Sequence, residues 1–171
     1  MSLGYLHLAL THLPVVGILF GVALFAVALV KKSNELKSAS LWAFIVIALL
    51  AVAVLLTGEP AENMVKKIPG IVESEIEKVI GPHEHLAVAA VISTVILGLI
   101  SAIGLASFRK TGTFSKRLIT VVLILSIISA GLLTKVANLG GKIRHTEIRS
   151  DAVVTDNSGE KKQPDKNRDK D

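Results

Sequence analysis

Apolar residues fall in four long runs separated by short polar breaks. The runs cover about Leu13 to Val30, Ala39 to Thr57, Leu86 to Ser107 and Leu118 to Ala137. A helix rises 1.5 Å per residue, so each run is close to the ~20 residues needed to cross ~30 Å of hydrocarbon. Barrel strands would be shorter and would alternate, and irregular backbone cannot face lipid, so the pattern predicts four membrane-spanning helices. The first run has no basic start and is followed by Lys31 and Lys32 rather than a small-residue cleavage site, so it is expected to stay as an anchor.

The breaks differ in charge. Lys31 to Ser38 contains three lysines, and Phe108 to Arg117 contains four basic residues, whereas Gly58 to Pro82 sets three lysines against five glutamates. By the positive-inside rule the two basic breaks are cytoplasmic, which puts both termini and the long break on the outer, periplasmic side of an inner membrane. The expected fold is an all-α four-helix bundle, up-down-up-down, with spans at about 5–30, 39–57, 85–107 and 117–138. The long break reads as two short amphipathic helices, Ala61 to Ile68 and Ile71 to Val79, parted by Pro69-Gly70. The transmembrane domain is expected to end near residue 149. A disordered polar tail, 150–171, follows because it has too little apolar surface to order itself. No internal repeat stronger than two similar helical hairpins stands out.

Composition agrees with a membrane protein: of 171 residues 51% are hydrophobic and 19% charged. Cysteine is absent, which excludes disulfides, iron–sulfur clusters and thiol catalysis and leaves only nitrogen and oxygen donors for any ligand. The net charge of +5 lies mostly in loops and tail, where it reports topology rather than a nucleic-acid partner.

The candidate chemistry lies at one level. Counting ~20 residues out from each basic break puts the outer hydrocarbon edge near His12, Glu59, His85 and Asn138. His7 and His12 open the first helix, His83 and His85 the third, and His145 follows the fourth, so all five histidines lie on one side. Glu59, Glu62, Glu84 and Glu147 join them. In the expected bundle the first and third helices are diagonal, so His12 and His85 would face each other across the mouth, with Glu59 and the His145 segment on the other diagonal. Pro82 fits a first helical turn, whose partial positive charge would keep His83 and His85 neutral. Pro14 would release the Leu10 carbonyl and bend the first helix, setting His7 and His12 in different roles, with His12 favoured for its depth. Gly17 and Gly21 form a G-x-x-x-G pattern suited to close helix contact inside the bundle or in a dimer. Trp42 reads as a packing residue and Tyr5 as an interfacial anchor.

The stretches T-H-L-P-V-V-G-I-L-F-G, T-G-E-P-A-E, P-G-I-V-E-S-E-I-E before H-E-H, and G-G-K-I-R-H-T-E-I resemble a group of uncharacterised bacterial four-transmembrane-helix proteins. The chain is also distantly similar to the domain-of-unknown-function 2231 membrane family. The resemblance covers about Tyr5 to Arg149 and implies a four-span fold with haem or metal binding, and no activity. Where that family usually carries a glutamate this chain has His85, which makes His83 the firmer ligand.

Three functions follow. One is a non-haem centre of iron, zinc, copper or manganese held by His12, His83 and His85 with Glu59, Glu62 and Glu84, ranked first because converging glutamates repel unless a cation sits among them. Another is a b-type haem with two axial ligands from His7, His12, His83 and His85, the propionates on Lys135, Lys142 or Arg144, and room left by Ala9, Ala87 and Ala89. His145 is a further cofactor-ligand candidate. The third is a cofactor-free subunit that docks a partner. A histidine at a membrane boundary is commonly no more than an interfacial residue, which is the bland reading of each. No nucleophile triad, phosphate loop or H-E-x-x-H motif is present, so no catalytic residue is assigned. The cytoplasmic halves of the spans have no charge to carry an ion onward. The first two readings suit electron transfer or metal handling with a periplasmic or membrane redox partner, and a homo-oligomer is compatible with each.

Overall fold

The computed structural model describes residues 3–67 and 73–144, in which every regular element is a helix. These are α1 (Leu3–Leu10), α2 (His12–Val30), α3 (Asn34–Leu56), α4 (Gly58–Val65), α5 (Glu73–Thr111) and α6 (Lys116–Arg144). Four stretches are long and apolar enough to cross a membrane: Gly4–Val30, Asn34–Met64, Ile80–Thr111 and Lys116–Lys142. The expected tail, 150–171, and the residues His145 and Glu147 before it lie outside the described residues.

The long helices pack in a closed order, α2 against α3, α3 against α5, α5 against α6 and α6 against α2, so α2 lies diagonal to α5 and α3 to α6. Ser33 starts α3 by accepting a hydrogen bond from the Leu36 amide at 3.2 Å, an N-cap that places the start five residues ahead of the apolar run. The first span is broken at Thr11, where α1 gives way to α2. Pro14, in the first turn of α2, supplies no amide hydrogen to the Leu10 carbonyl.

Two expectations for the long break are corrected. Its first helix is Gly58–Val65, beginning directly after Thr57, and the second is not separate, because Glu73 to Val79 continues into the third span as one 39-residue helix. Pro82 lies inside that helix rather than at its start. His83 is ten residues from the helix start, and a terminal dipole acts only over the first turn, so the argument that the helix end keeps His83 and His85 neutral falls away.

Glycines set the helix spacing. A Cβ on Gly21 would lie 2.8 Å from a Phe44 ring carbon, and one on Gly17 3.1 Å from Ile47, so the G-x-x-x-G face is spent on α3 inside the bundle. Trp42, expected to pack, is 50% exposed on the outside of α3. Tyr5 is also exposed, as an interfacial anchor requires.

Burial repeats along the chain. Pro14, Ile18, Gly21, Phe25 and Ala28 are buried on the first span, and so are Ala90, Thr94, Leu97, Ser101 and Gly104, each 76 residues later. On the second span Ser40, Phe44, Ile47 and Ala51 are buried, and Val122, Ser126, Ser129 and Leu133 repeat them 82 residues later. The bundle is therefore two equivalent hairpins. Their contents differ: Phe25 and Phe44 meet edge to face at 5.9 Å in the first, where the second has Ser101 and Ser126. Most of the buried hydroxyls close on their own helix, Thr94 on the Ala90 carbonyl at 2.7 Å and Ser126 on Leu123 at 2.9 Å, while Ser129 meets Ser93 at 2.8 Å between α5 and α6.

Candidate functional site

The site forms where the start of each hairpin meets its own end. His7 Nδ1 lies 3.0 Å from the Val54 carbonyl and 3.2 Å from Thr57 Oγ1. The Thr57 hydroxyl donates to Val54 O at 2.9 Å, so its oxygen is left to accept. Both neighbours of His7 Nδ1 are acceptors, hence Nδ1 carries the proton and the Nε2 lone pair stays open. His83 repeats the arrangement, donating from Nδ1 to the Val136 carbonyl at 3.2 Å.

These two contacts are equivalent under the repeat. His83 follows His7 by the step of the first and third spans, and Val136 follows Val54 by that of the second and fourth. Gly58 and Gly140 correspond in the same way. A Cβ on Gly58 would come within 3.8 Å of His7 Cε1, and one on Gly140 within 3.2 Å of His83 Cε1. Each imidazole thus rests on a helix surface cleared by a glycine one turn beyond the carbonyl that holds it. Both rings are half-buried.

The helices explain why these histidines turn inward. α1 packs on α4 and on α3, and a Cβ added to Gly4 would meet the Met64 side chain and lie 3.3 Å from the Ala61 Cα. His83 lies on α5, which packs along α6.

The remaining candidates lie apart from this pair. His12, favoured for depth, is exposed. His85 is exposed and closes on its own turn, Nδ1 to Gly81 O at 2.9 Å. Hydrogen bonds to a neighbouring helix are made by His7 and His83 rather than by the expected pair His12 and His85. Glu59 and Glu84 are exposed. Glu62 pairs with Lys66 at 2.8 Å, and Lys66 also reaches Glu77 at 3.3 Å, tying α4 to the start of α5. The hydrogen bond to Glu62 first, and that to Glu77 second, hold the Lys66 ammonium pKa above its ordinary range.

Among the described residues no three histidines or carboxylates stand close enough to share a metal ion. Ala9 and Ala89 are exposed, while Ala87 is half-buried. Lys135 and Lys142 are exposed on α6, and the side chain of Arg144 lies outside the described residues.

Sequence reasoning had not singled out Thr57, Gly58, Gly140 or the carbonyls of Val54 and Val136. The available signal was the glycine after each outgoing span, 82 residues apart, but a glycine after a helix ordinarily reads as a terminator. Comparison with known proteins finds no matching family model, curated protein or solved structure.

Proposed function

We propose that this chain is a multi-pass inner-membrane protein whose His7 and His83 would hold a b-type haem through their Nε2 atoms, for electron transfer at the outer face. The observation that carries the reading is the pair of equivalent, diagonal imidazoles, each with Nδ1–H held by a backbone carbonyl and Nε2 left to ligate. A hydrogen bond from Nδ1–H to a carbonyl fixes the tautomer and raises the basicity of Nε2. The donor set fits a group that needs two nitrogens from the protein, since the porphyrin fills the other positions. A non-haem centre needs a third or fourth ligand, and the glutamates that recommended it in the sequence are exposed or, for Glu62, paired with Lys66. When bound, haem supplies one-electron redox chemistry. The chain's part is to orient two neutral imidazoles and to hold them half-buried, where water competes less for Nε2.

Up-down-up-down threading with both termini outside belongs to the same proposal. It rests on the basic breaks and on the hairpin contacts, which bring the starts of the first and third spans to the ends of the second and fourth. The resemblance to the domain-of-unknown-function 2231 family implies a four-span fold.

The test is the visible spectrum of protein purified from haem-replete cells, with metal analysis of the same sample. A Soret band with a low-spin reduced spectrum and about one haem per chain is expected, by the ligand count above. Stoichiometric metal without a Soret band would move the assignment to a non-haem centre, and neither would leave a structural subunit.

The glycines give a graded check. Gly140→Ala puts a methyl 3.2 Å from the His83 ring, whereas Gly58→Ala leaves 3.8 Å, ordinary contact, to His7. Gly140→Ala should weaken haem retention about tenfold, the low end for disturbing the support of a ligand, and Gly58→Ala should change it little. Haem titration of the two apoproteins measures the difference.

A further inference from the structure

The pseudo-equivalent interfaces α3/α5 and α2/α6 are unequal. Where α3 and α5 meet, Gly98 sits so close to α3 that a Cβ would lie 2.6 Å from that of Ala48. Where α2 and α6 meet, the surface carries a shallow, open groove of about 520 Å³ lined by Leu19, Ala130, Gly131, Thr134, Lys135 and Asn138, all but Ala130 exposed. Nothing lies within 4 Å of where a Gly131 Cβ would be, so the groove floor is open.

Its lining is graded. Leu19, Ala130 and Gly131 form the apolar part, and Thr134, Lys135 and Asn138 follow toward the His83 end of α6, next to Val136. The corresponding positions of α3, 82 residues earlier, are Val52, Ala53 and Leu56, an apolar surface suited to hydrocarbon. Lys135 is thus a cation on a membrane-spanning helix, and among the described residues no carboxylate lies within ion-pair distance of it. A basic side chain between spans near the headgroup level attracts anionic lipid headgroups, and its long stem lets the ammonium reach that level.

We propose that the α2/α6 groove binds an anionic phospholipid, with an acyl chain along Leu19, Ala130 and Gly131 and the phosphate at the Lys135 ammonium and the Asn138 amide. The Thr134 hydroxyl takes no part as a donor, because it already donates to the Ala130 carbonyl at 2.8 Å. The occupant is set by charge: a zwitterionic lipid carries its own cation into the site, whereas an anionic one leaves its phosphate for Lys135.

The proposal does not depend on haem. The full chain, reconstituted in nanodiscs of equal parts phosphatidylglycerol and phosphatidylcholine, is released into mild detergent and its retained lipid identified by native mass spectrometry. Wild type is expected to keep phosphatidylglycerol at least fivefold over phosphatidylcholine. Lys135→Gln should bring that ratio to within twofold of unity, and Gly131→Leu, which fills the open floor, should reduce retention of both lipids. Neither change should alter the thermal midpoint in detergent. Equal retention of the two lipids by wild type, or an unchanged preference in Lys135→Gln, would overturn the assignment. Loss of the haem spectrum in the parent protein would leave it standing.

Discussion

Gly98→Ala should destabilise the bundle by about 1–3 kcal/mol, and Gly98→Leu should exceed that range, which is typical of overpacking a filled interior. The argument is positional. Between membrane helices there is no hydrophobic drive to hold them together, so van der Waals contact along the interface carries the association, and small residues permit the approach. At Gly98 an added Cβ would stand 2.6 Å from the Ala48 Cβ, with the Phe44 carbonyl at 3.6 Å and the Ile45 Cα at 3.7 Å. These are methyl and backbone atoms, which have no rotamer with which to give way. Gly104 is a useful contrast, because its near neighbours are the terminal carbons of Leu118 and Leu41, which can swing aside. Thermal midpoints by fluorescence-detected size exclusion in detergent measure the loss. The clash is Cβ against Cβ, so Ala48→Gly should restore most of the stability of Gly98→Ala although Ala48→Gly alone costs stability, a coupling that a double-mutant cycle isolates. A Gly98→Ala protein as stable as wild type would show that α3 and α5 are not in such close contact.

The four spans were legible because hydropathy over ~20 residues reports lipid exposure directly. Their inner faces were not, since a helix apolar on all sides has no amphipathic stripe to show which residues turn inward. That is why Trp42 read as packing and is exposed, and why Gly17 and Gly21 left bundle and dimer open until Ile47 and Phe44 were seen against them. Pro82 misled for another reason. Its preference for a first turn is a statement about free amide hydrogens, and α5 continues through it. The hairpin repeat was faint because it is kept in burial rather than in identity. Phe25 and Phe44 correspond to Ser101 and Ser126, Ile18 and Ile47 to Thr94 and Ser129, exchanges that erase sequence similarity while every position stays inside. Once the register is known, His7 and His83 single themselves out from the five histidines, being the two that occupy one position in two copies.

That equivalence leads to the sharpest expectation for the site: His7→Ala and His83→Ala should each reduce haem retention at least tenfold, while His12→Ala and His85→Ala should leave it within twofold. A ranking by depth gives the opposite order for the first pair, so His7 against His12 decides between depth and geometry. Geometry favours His7 because its Nδ1 proton is taken by Val54 O and Thr57 Oγ1, whereas His12 is exposed. His83 outranks His85 because its acceptor lies on a neighbouring span and fixes the ring relative to the bundle, while His85 is tied to the Gly81 carbonyl of its own turn and moves with it. With either imidazole gone, any haem that remains would be held by a single protein nitrogen, and its spectrum should be high-spin. Imidazole added to the solution should restore the low-spin form in both variants, an outcome that a merely structural role for the histidines would not give. If His12→Ala bleaches the protein and His7→Ala does not, the hydrogen bond from His7 to α3 is not what builds the site.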